Sequence, residues 1–454
     1  MLGVILTTTG GVLWIILLPN MMSGHAAHPY MGIAMFITLP GIFFVGLALM
    51  PLGVWLKRWR DRRRGLAPEI PAALDLRSPQ VRRVLTFFVA TTMANVVIGA
   101  QFTYRAIAYM DSVPFCGETC HTVMEPEFTA YQNSPHSRVE CVSCHIGSGA
   151  NWFVKSKISG TWQVIAVTFN LYEKPIPTPV RNLRPARETC EQCHWPQKFG
   201  ADRVRVVPKY AGDEANSVSK TVLLMRIGGG ETARGIHGAH MRAGVTIRYA
   251  PSDEKRQTIP WVEYDDGQGH VTQYRAADAK PGVENGLAIR VMDCMDCHTR
   301  PSHSFDLPER AVDRAMAGGE IAPGLPFAKK QAVELLKNDY PSHEAADKEI
   351  VAGFEKFYRE QKAGVYQQKG AEVKRSARAV AAIYRRNVFP AMNVKWGIYP
   401  NNIGHTDFPG CFRCHDDNHL AADQRKITQD CNACHQLLAM DEAKPKILEE
   451  LGEQ

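Results

Sequence analysis

Every cysteine in this chain belongs to a closely spaced pair, and every pair is followed at once by a histidine. Five of these runs place two residues between the cysteines: Cys141, Cys144 and His145; Cys190, Cys193 and His194; Cys294, Cys297 and His298; Cys411, Cys414 and His415; Cys431, Cys434 and His435. A sixth, with Cys116, Cys120 and His121, is longer by one residue. Two neighbouring thiols can add to the two vinyl groups of one haem, and the histidine that follows then sits under the iron. Zinc sites and disulfide scaffolds also use paired cysteines, but neither requires a histidine directly after the second one. The sequence therefore predicts six haem c groups, held by twelve thioether links and six proximal histidines.

That prediction limits what the rest of the chain can be. The 454 residues allow two to four domains, yet only 45% are hydrophobic, so much of the soluble part is expected to pack on porphyrin. No cysteine is left for a structural disulfide or a thiol nucleophile. In bacteria haem c is attached outside the cytoplasm, which requires the haem-bearing region to be translocated. The net charge of +7 is modest, and its densest positive run flanks an apolar segment, so no nucleic-acid partner is expected.

Three apolar stretches open the chain. Residues 4–22 and 31–56 carry no charge and are each long enough to cross a bilayer core of about 30 Å. A third covers 84–108, with Gln101 and Arg105 in its second half. The first stretch lacks a basic flank and a small-residue cleavage pattern, so it reads as a span rather than a signal peptide. Lys57, Arg58, Arg60, Arg62, Arg63, Arg64, Arg77, Arg82 and Arg83 lie between the second and third stretches, against Asp61, Glu69 and Asp75. The loop before the second stretch has no lysine or arginine. The positive-inside rule then predicts a bacterial inner-membrane protein with a cytoplasmic N-terminus and periplasmic haem sites.

In the soluble part, three haem sites fall between 116 and 194 and three between 294 and 435. The interval between them alternates β-branched and aromatic residues with polar ones at 203–207, 221–227, 245–249, 258–264 and 271–274, with a turn at 265–269. Apolar spacings of three and four predict helices over 327–338, 343–361 and 371–386. The fold class expected is a multihaem cytochrome c with N-terminal transmembrane helices. Its periplasmic region is mainly α and irregular, haem-packed, with a small β-rich insertion. Expected divisions are 1–110 (membrane), 111–200 (three haems), 201–290 (β-rich insertion) and 291–454 (three haems).

Low-spin haems need a second axial ligand. Ten histidines lie outside the attachment runs. His136, His303, His405 and His419 stand close in sequence to attachment runs and are the favoured distal ligands. His237 and His240 compete for a further role, with His237 ahead. His25 and His28 fall in the short loop between the first two spans, and His270 and His343 read as surface residues. In the stretched run, Met124 can take the iron in place of a displaced histidine, or be an ordinary packed methionine.

The string CGETCHTVMEPEF at 116–128, followed by YQNSPHSR at 131–138 and the run beginning at Cys141, resembles the NapC/NirT family of membrane-anchored cytochromes c. The resemblance covers roughly 84–200. It implies oxidation of quinol, here menaquinol, and delivery of electrons to a periplasmic cytochrome or reductase. It also implies Met124 as a ligand of the first haem, His136 as a distal ligand, and Lys157 as the lysine lining a quinol pocket. The acidic residue that the family places one or two turns further on has no counterpart, since Thr161, Trp162, Gln163 and Val164 occupy that region. RPARETC at 184–190 and NNIGHTDFPGC at 401–411, with the two extra spans, resemble the larger family members of metal-reducing bacteria. An alternative is a relay subunit of a larger respiratory membrane complex, without its own quinol site. A terminal reductase is disfavoured, because ten spare histidines suffice to cap every iron. The C-terminal pair of haem sites is expected to be the electron exit.

Overall fold

The structure is a computed structural model, and it describes residues 2–22, 38–65, 76–147, 149–180, 183–195, 198, 200–229 and 234–452. His25, His28, Glu69 and Asp75 lie outside the described residues. The chain divides into two compact units, 1–124 and 125–454.

Among its described residues the first unit has three long helices, α1 (Leu2–Met22), α2 (Leu39–Arg63) and α3 (Pro79–Met110). Both α2 and α3 are long and apolar enough to cross a membrane, and α1 carries no charged residue in its 21 positions. Proline at the first turn of α2 and of α3 suits a position whose N–H has no helical acceptor. The last turn of α2 carries Arg60, Arg62 and Arg63, which complement the negative end of the helix dipole. α1 and α2 pack through small residues. Gly3, Thr7 and Gly10 recur along one side of α1, and a Cβ added to Gly46 of α2 would lie 2.5 Å from Thr7 Oγ1. Thr7 itself is buried and donates its hydroxyl to the Gly3 carbonyl, so no polar atom is stranded at this close approach.

The second unit holds two antiparallel sheets and a helical cluster. Strands β1 (Arg203–Tyr210), β2 (Val218–Met225), β3 (Thr246–Ala250), β4 (Trp261–Asp265) and β5 (Val271–Ala276) form where β-branched and aromatic residues alternate in sequence. Two short strands, β6 (Arg290–Val291) and β7 (His419–Ala421), and a longer one, β8 (His435–Glu442), complete the sheets. The orders are β1-β2-β8 and β6-β3-β4-β5-β7. Sequence patterning missed β7 and β8, both of which come from the far C-terminal stretch. As a result, each sheet takes its last strand from the region of the fifth and sixth attachment runs.

Between the fourth and fifth runs, α7 (Pro308–Ala317), α8 (Ala328–Leu336), α9 (His343–Gln361) and α10 (Ala363–Asn387) make an ordinary side-chain core. Val312, Leu325, Ile350, Phe354, Tyr358 and Val380 are fully buried in it. The Ser342 hydroxyl caps α9 by accepting from the Ala345 N–H. His343, expected at the surface, instead sits under this cluster. Its Nε2 faces the Val388 carbonyl at 2.6 Å and its ring packs 5.2 Å from that of Phe389. The apolar core is thus concentrated in the stretch that carries no attachment run.

Three further helices position the sites: α4 (His121–Gln132), α5 (Ala150–Thr168) and α6 (Gly235–Met241).

Candidate haem sites

Three of the six attachment runs form a single turn of α-helix. Residues Cys141–His145, Cys294–Cys297 and Cys431–Cys434 are helical, which places the two thiols of each pair on one side of the turn. The stretched run solves the extra residue by widening: Phe115–Thr119 is a π-helical turn. Residues four apart share a side of a helix as residues three apart do, so the two thiols again lie together. Asp430 caps the turn of the last run through the Asn432 N–H, and Asp293 with Asp296 forms a reciprocal capping box around that of the fourth.

Within the second unit, five histidines of the attachment runs each face one other histidine. The ring centres of His145 and His303 are 6.2 Å apart, those of His194 and His136 5.9 Å, and those of His298 and His237 6.4 Å. His415 faces His240 at 5.8 Å and His435 faces His405 at 6.2 Å. Two metal–nitrogen bonds of about 2 Å, plus roughly 1 Å from each nitrogen to its ring centre, give about 6 Å for an iron held between two imidazoles. The spacing fits the group.

The hydrogen bonds of these rings fit it as well. Nδ1 donates to a backbone carbonyl in His303 (Glu127, 2.9 Å), His240 (Ile236, 2.7 Å), His415 (Thr428, 2.9 Å) and His136 (Pro301, 3.3 Å). A carbonyl only accepts, so the proton is on Nδ1 and Nε2 keeps its lone pair for a metal. Burial, reinforced by the facing imidazole, holds His145 below the ordinary histidine range; burial does the same for His303, ahead of any other influence. Burial likewise lowers His237, His240, His298 and His435. Neutral imidazole is the ligating form. A cavity of about 210 Å³ opens beside His240, lined by Arg187, Val245, Ile247, Val291 and Met292 among others.

Two expectations change here. His419 faces no attachment histidine. It is 2% exposed, with Nδ1 directed at the Asp416 carboxylate (2.8 Å) and Nε2 at the Ile259 carbonyl (2.7 Å), so neither nitrogen points to an iron. His237 and His240 do not compete: three residues apart on α6, they face His298 and His415 respectively. His270 is an exposed partner of Asp266, as read from sequence. Met124 and His121 both lie in the first turn of α4, where the Met124 N–H bonds the Cys120 carbonyl. Lys157, on α5, holds its Nζ 4.8 Å from the centre of the Phe153 ring.

The attachment runs also adjoin in sequence order. Cys144 lies near Cys193, and Cys190 lies beside Cys294. Cys414 is close to Cys297, and Cys434 to Cys411. From the second to the sixth, each site therefore lies beside the next in sequence.

The part played by Glu127 was not legible in the sequence. Its carboxylate takes a two-pronged ion pair from Arg300 Nη2 (2.8 and 2.6 Å), while its carbonyl and carboxylate both lie within reach of His303 Nδ1. Arg300 is stacked on Tyr399, with the guanidinium 4.0 Å from the ring centre. A carboxylate beside the N–H of a ligating histidine makes that ligand more basic and favours the oxidised metal. Glu127→Gln is expected to raise the midpoint potential of one low-spin haem by on the order of tens of millivolts, seen in a spectroscopic redox titration. Unchanged potentials would reduce Glu127 to a packing role.

Paired histidines over attachment runs that adjoin one another define a multihaem c-type cytochrome. Residues 78–176 match the NapC/NirT cytochrome c family, N-terminal region. The chain is 42% identical over 417 residues to the cytochrome c-type protein ImcH of Geobacter sulfurreducens, covering 90% of this chain and 82% of that one. The chain belongs to the NapC/NirT cytochrome c family, and its cofactor is covalently bound haem c. No solved structure matches it.

Proposed function

We propose that this protein is an inner-membrane cytochrome carrying six haem c groups, which takes electrons from menaquinol and relays them to a periplasmic cytochrome or reductase. The observation that carries this reading is one attachment run directly after the apolar helix α3, followed by five more whose thiols adjoin in sequence order. In this reading α1, α2 and α3 all span the membrane. The basic run at the end of α2 and the start of α3 lies in the cytoplasm, and everything after Met110 is periplasmic. Residues 1–110 form the membrane part, and the soluble part divides near 200 and 290, with β7 and β8 stitching the pieces together.

Haem c, when bound, supplies a one-electron iron couple at each position. The chain's own residues do the rest. His136, His237, His240, His303 and His405 serve as distal ligands, and Met124 serves the first site. Backbone carbonyls hold the Nδ1 protons of His136, His240, His303 and His415, so these imidazoles keep one tautomer and orientation. Quinol oxidation releases two protons for two electrons, so a group near the first site must accept them. Lys157 hydrogen-bonds the quinol oxygen, its stem lying along the helix so that its charge reaches the interface.

Mixing fully haem-loaded protein with a menaquinol analogue is expected to reduce its haems. Lys157→Gln is expected to lower kcat/KM by on the order of tenfold, the loss of one charge-assisted hydrogen bond, while dithionite reduction stays unchanged. No reduction of fully loaded wild-type protein by quinol would end this reading and leave a relay fed by a partner subunit.

A further inference from the structure

α5 carries a row of large apolar side chains that the second unit leaves uncovered. Val154, Ile158, Trp162, Ile165 and Phe169 recur at intervals of three and four, which places them on one side of a helix. Their exposures are 54, 68, 59, 40 and 69%. The other side of the helix turns inward, with Phe153, Ser156 and Gly160 half-buried, and Ala166 beside the row is buried. Single exposed apolar residues are ordinary, but a contiguous row of five marks a contact surface.

The charge pattern says what kind. From Cys141 to Tyr172 the chain has no aspartate or glutamate, and its charged side chains are Lys155 and Lys157 in the first two turns of α5. Glu173 and Lys174 follow beyond the helix. Lys155 folds over the Trp152 ring at 4.7 Å and Lys174 over the Tyr172 ring at 5.3 Å. Apolar residues on one side, lysines at the margins and aromatic rings between them are the makeup of a helix that lies in a membrane interface. The one hydrogen-bonding group in the row is the Trp162 indole N–H, which suits headgroup level, and acyl chains need no polar partner along the rest. The same chain carries helices of membrane-spanning length, so a bilayer surface is within reach.

We propose that α5 lies along the bilayer surface, with the row from Val154 to Phe169 sunk among the outer acyl carbons and its lysines among anionic phosphates. This seating does not depend on quinol oxidation. It would nevertheless put Lys157 at the depth where a quinol headgroup leaves the membrane, which gives the lysine its access.

The test uses the full-length, haem-loaded protein in quinone-free nanodiscs of phosphatidylethanolamine and phosphatidylglycerol. A small fraction of the lipid carries a diazirine on its acyl chain, and labelled peptides are mapped after illumination. Residues 154–171 are expected to take on the order of tenfold more label than strands 203–225 and 261–276, as burial at the acyl boundary requires. The double variant Ile158→Asp, Trp162→Asp is expected to fall to the level of the strands, with haem content and α3 labelling unchanged. Wild-type labelling of 154–171 no higher than that of the strands would overturn the proposal, whether another surface or water covers the row. Because no quinol is present, that outcome is separate from the failure of quinol-driven reduction.

Discussion

Replacing His240 by alanine is expected to leave all haems attached and to turn one of them from low-spin to high-spin, whereas replacing His419 is expected to change no spin state. The two histidines make a sharp contrast because sequence position favours His419, which stands between the last two attachment runs. His240 faces His415 at 5.8 Å, and its Nδ1 proton is held by the Ile236 carbonyl, so its Nε2 lone pair is free to ligate. His419 spends both nitrogens on acceptors within the fold. Loss of His240 should also slow delivery to a C-terminal acceptor by on the order of ten- to a hundredfold, since even an outer partner of a metal-bound histidine is worth that much. His419→Ala should cost about 1–3 kcal/mol of stability instead, because the Ile259 carbonyl and Asp416 lose a buried partner. Electron paramagnetic resonance of the oxidised variants and their thermal unfolding check both halves. A high-spin signal from His419→Ala, with none from His240→Ala, would reverse the assignment.

The attachment runs were legible because they are local: thiol spacing and the following histidine are written within five or six consecutive residues. The strands and helices of the middle region were legible for a related reason, since each has one face buried and its apolar period shows. The pairing of distal histidines was not legible, because it is tertiary. His136 stands nearest the run at Cys141 but faces His194, and His303 stands nearest the run at Cys294 but faces His145. β8 escaped notice because it starts at the proximal His435 itself and pairs with β2, whose residues lie far back in the chain. Glu127 and Arg300 escaped because an ion pair across such a separation leaves no trace in either local string.

The second large effect is expected at Asp296, which sits between the two cysteines of the fourth attachment run. Its carboxylate is 2% exposed and accepts from the Tyr249 hydroxyl, from Arg256 Nη1 at 3.1 Å and from the Asp293 N–H at 2.8 Å. Burial first, and then the charge of Asp296, push the Tyr249 phenol up from its ordinary range, so it stays a neutral donor. The Asp296 carbonyl accepts from Arg413 Nη2 at 2.7 Å and from Asn402 Nδ2 at 3.2 Å. Arg413 lies between the cysteines of the fifth run, and it also donates to the carbonyls of Arg256 and Gly410. One buried network therefore clamps the fourth run to the fifth and both to β3. Asp296→Ala is expected to cost about 3–5 kcal/mol, because it leaves the Arg256 guanidinium without its anionic partner and opens the capping box. Asp296→Asn keeps an acceptor for Tyr249 and should lose less, about 1–3 kcal/mol. Denaturant unfolding followed by the haem absorbance would measure both. If the network also fixes the spacing of the two sites, the alanine variant should show a changed magnetic coupling between two low-spin haems before it unfolds. Alanine and asparagine variants as stable as wild type would mean that haem attachment alone holds the two runs together.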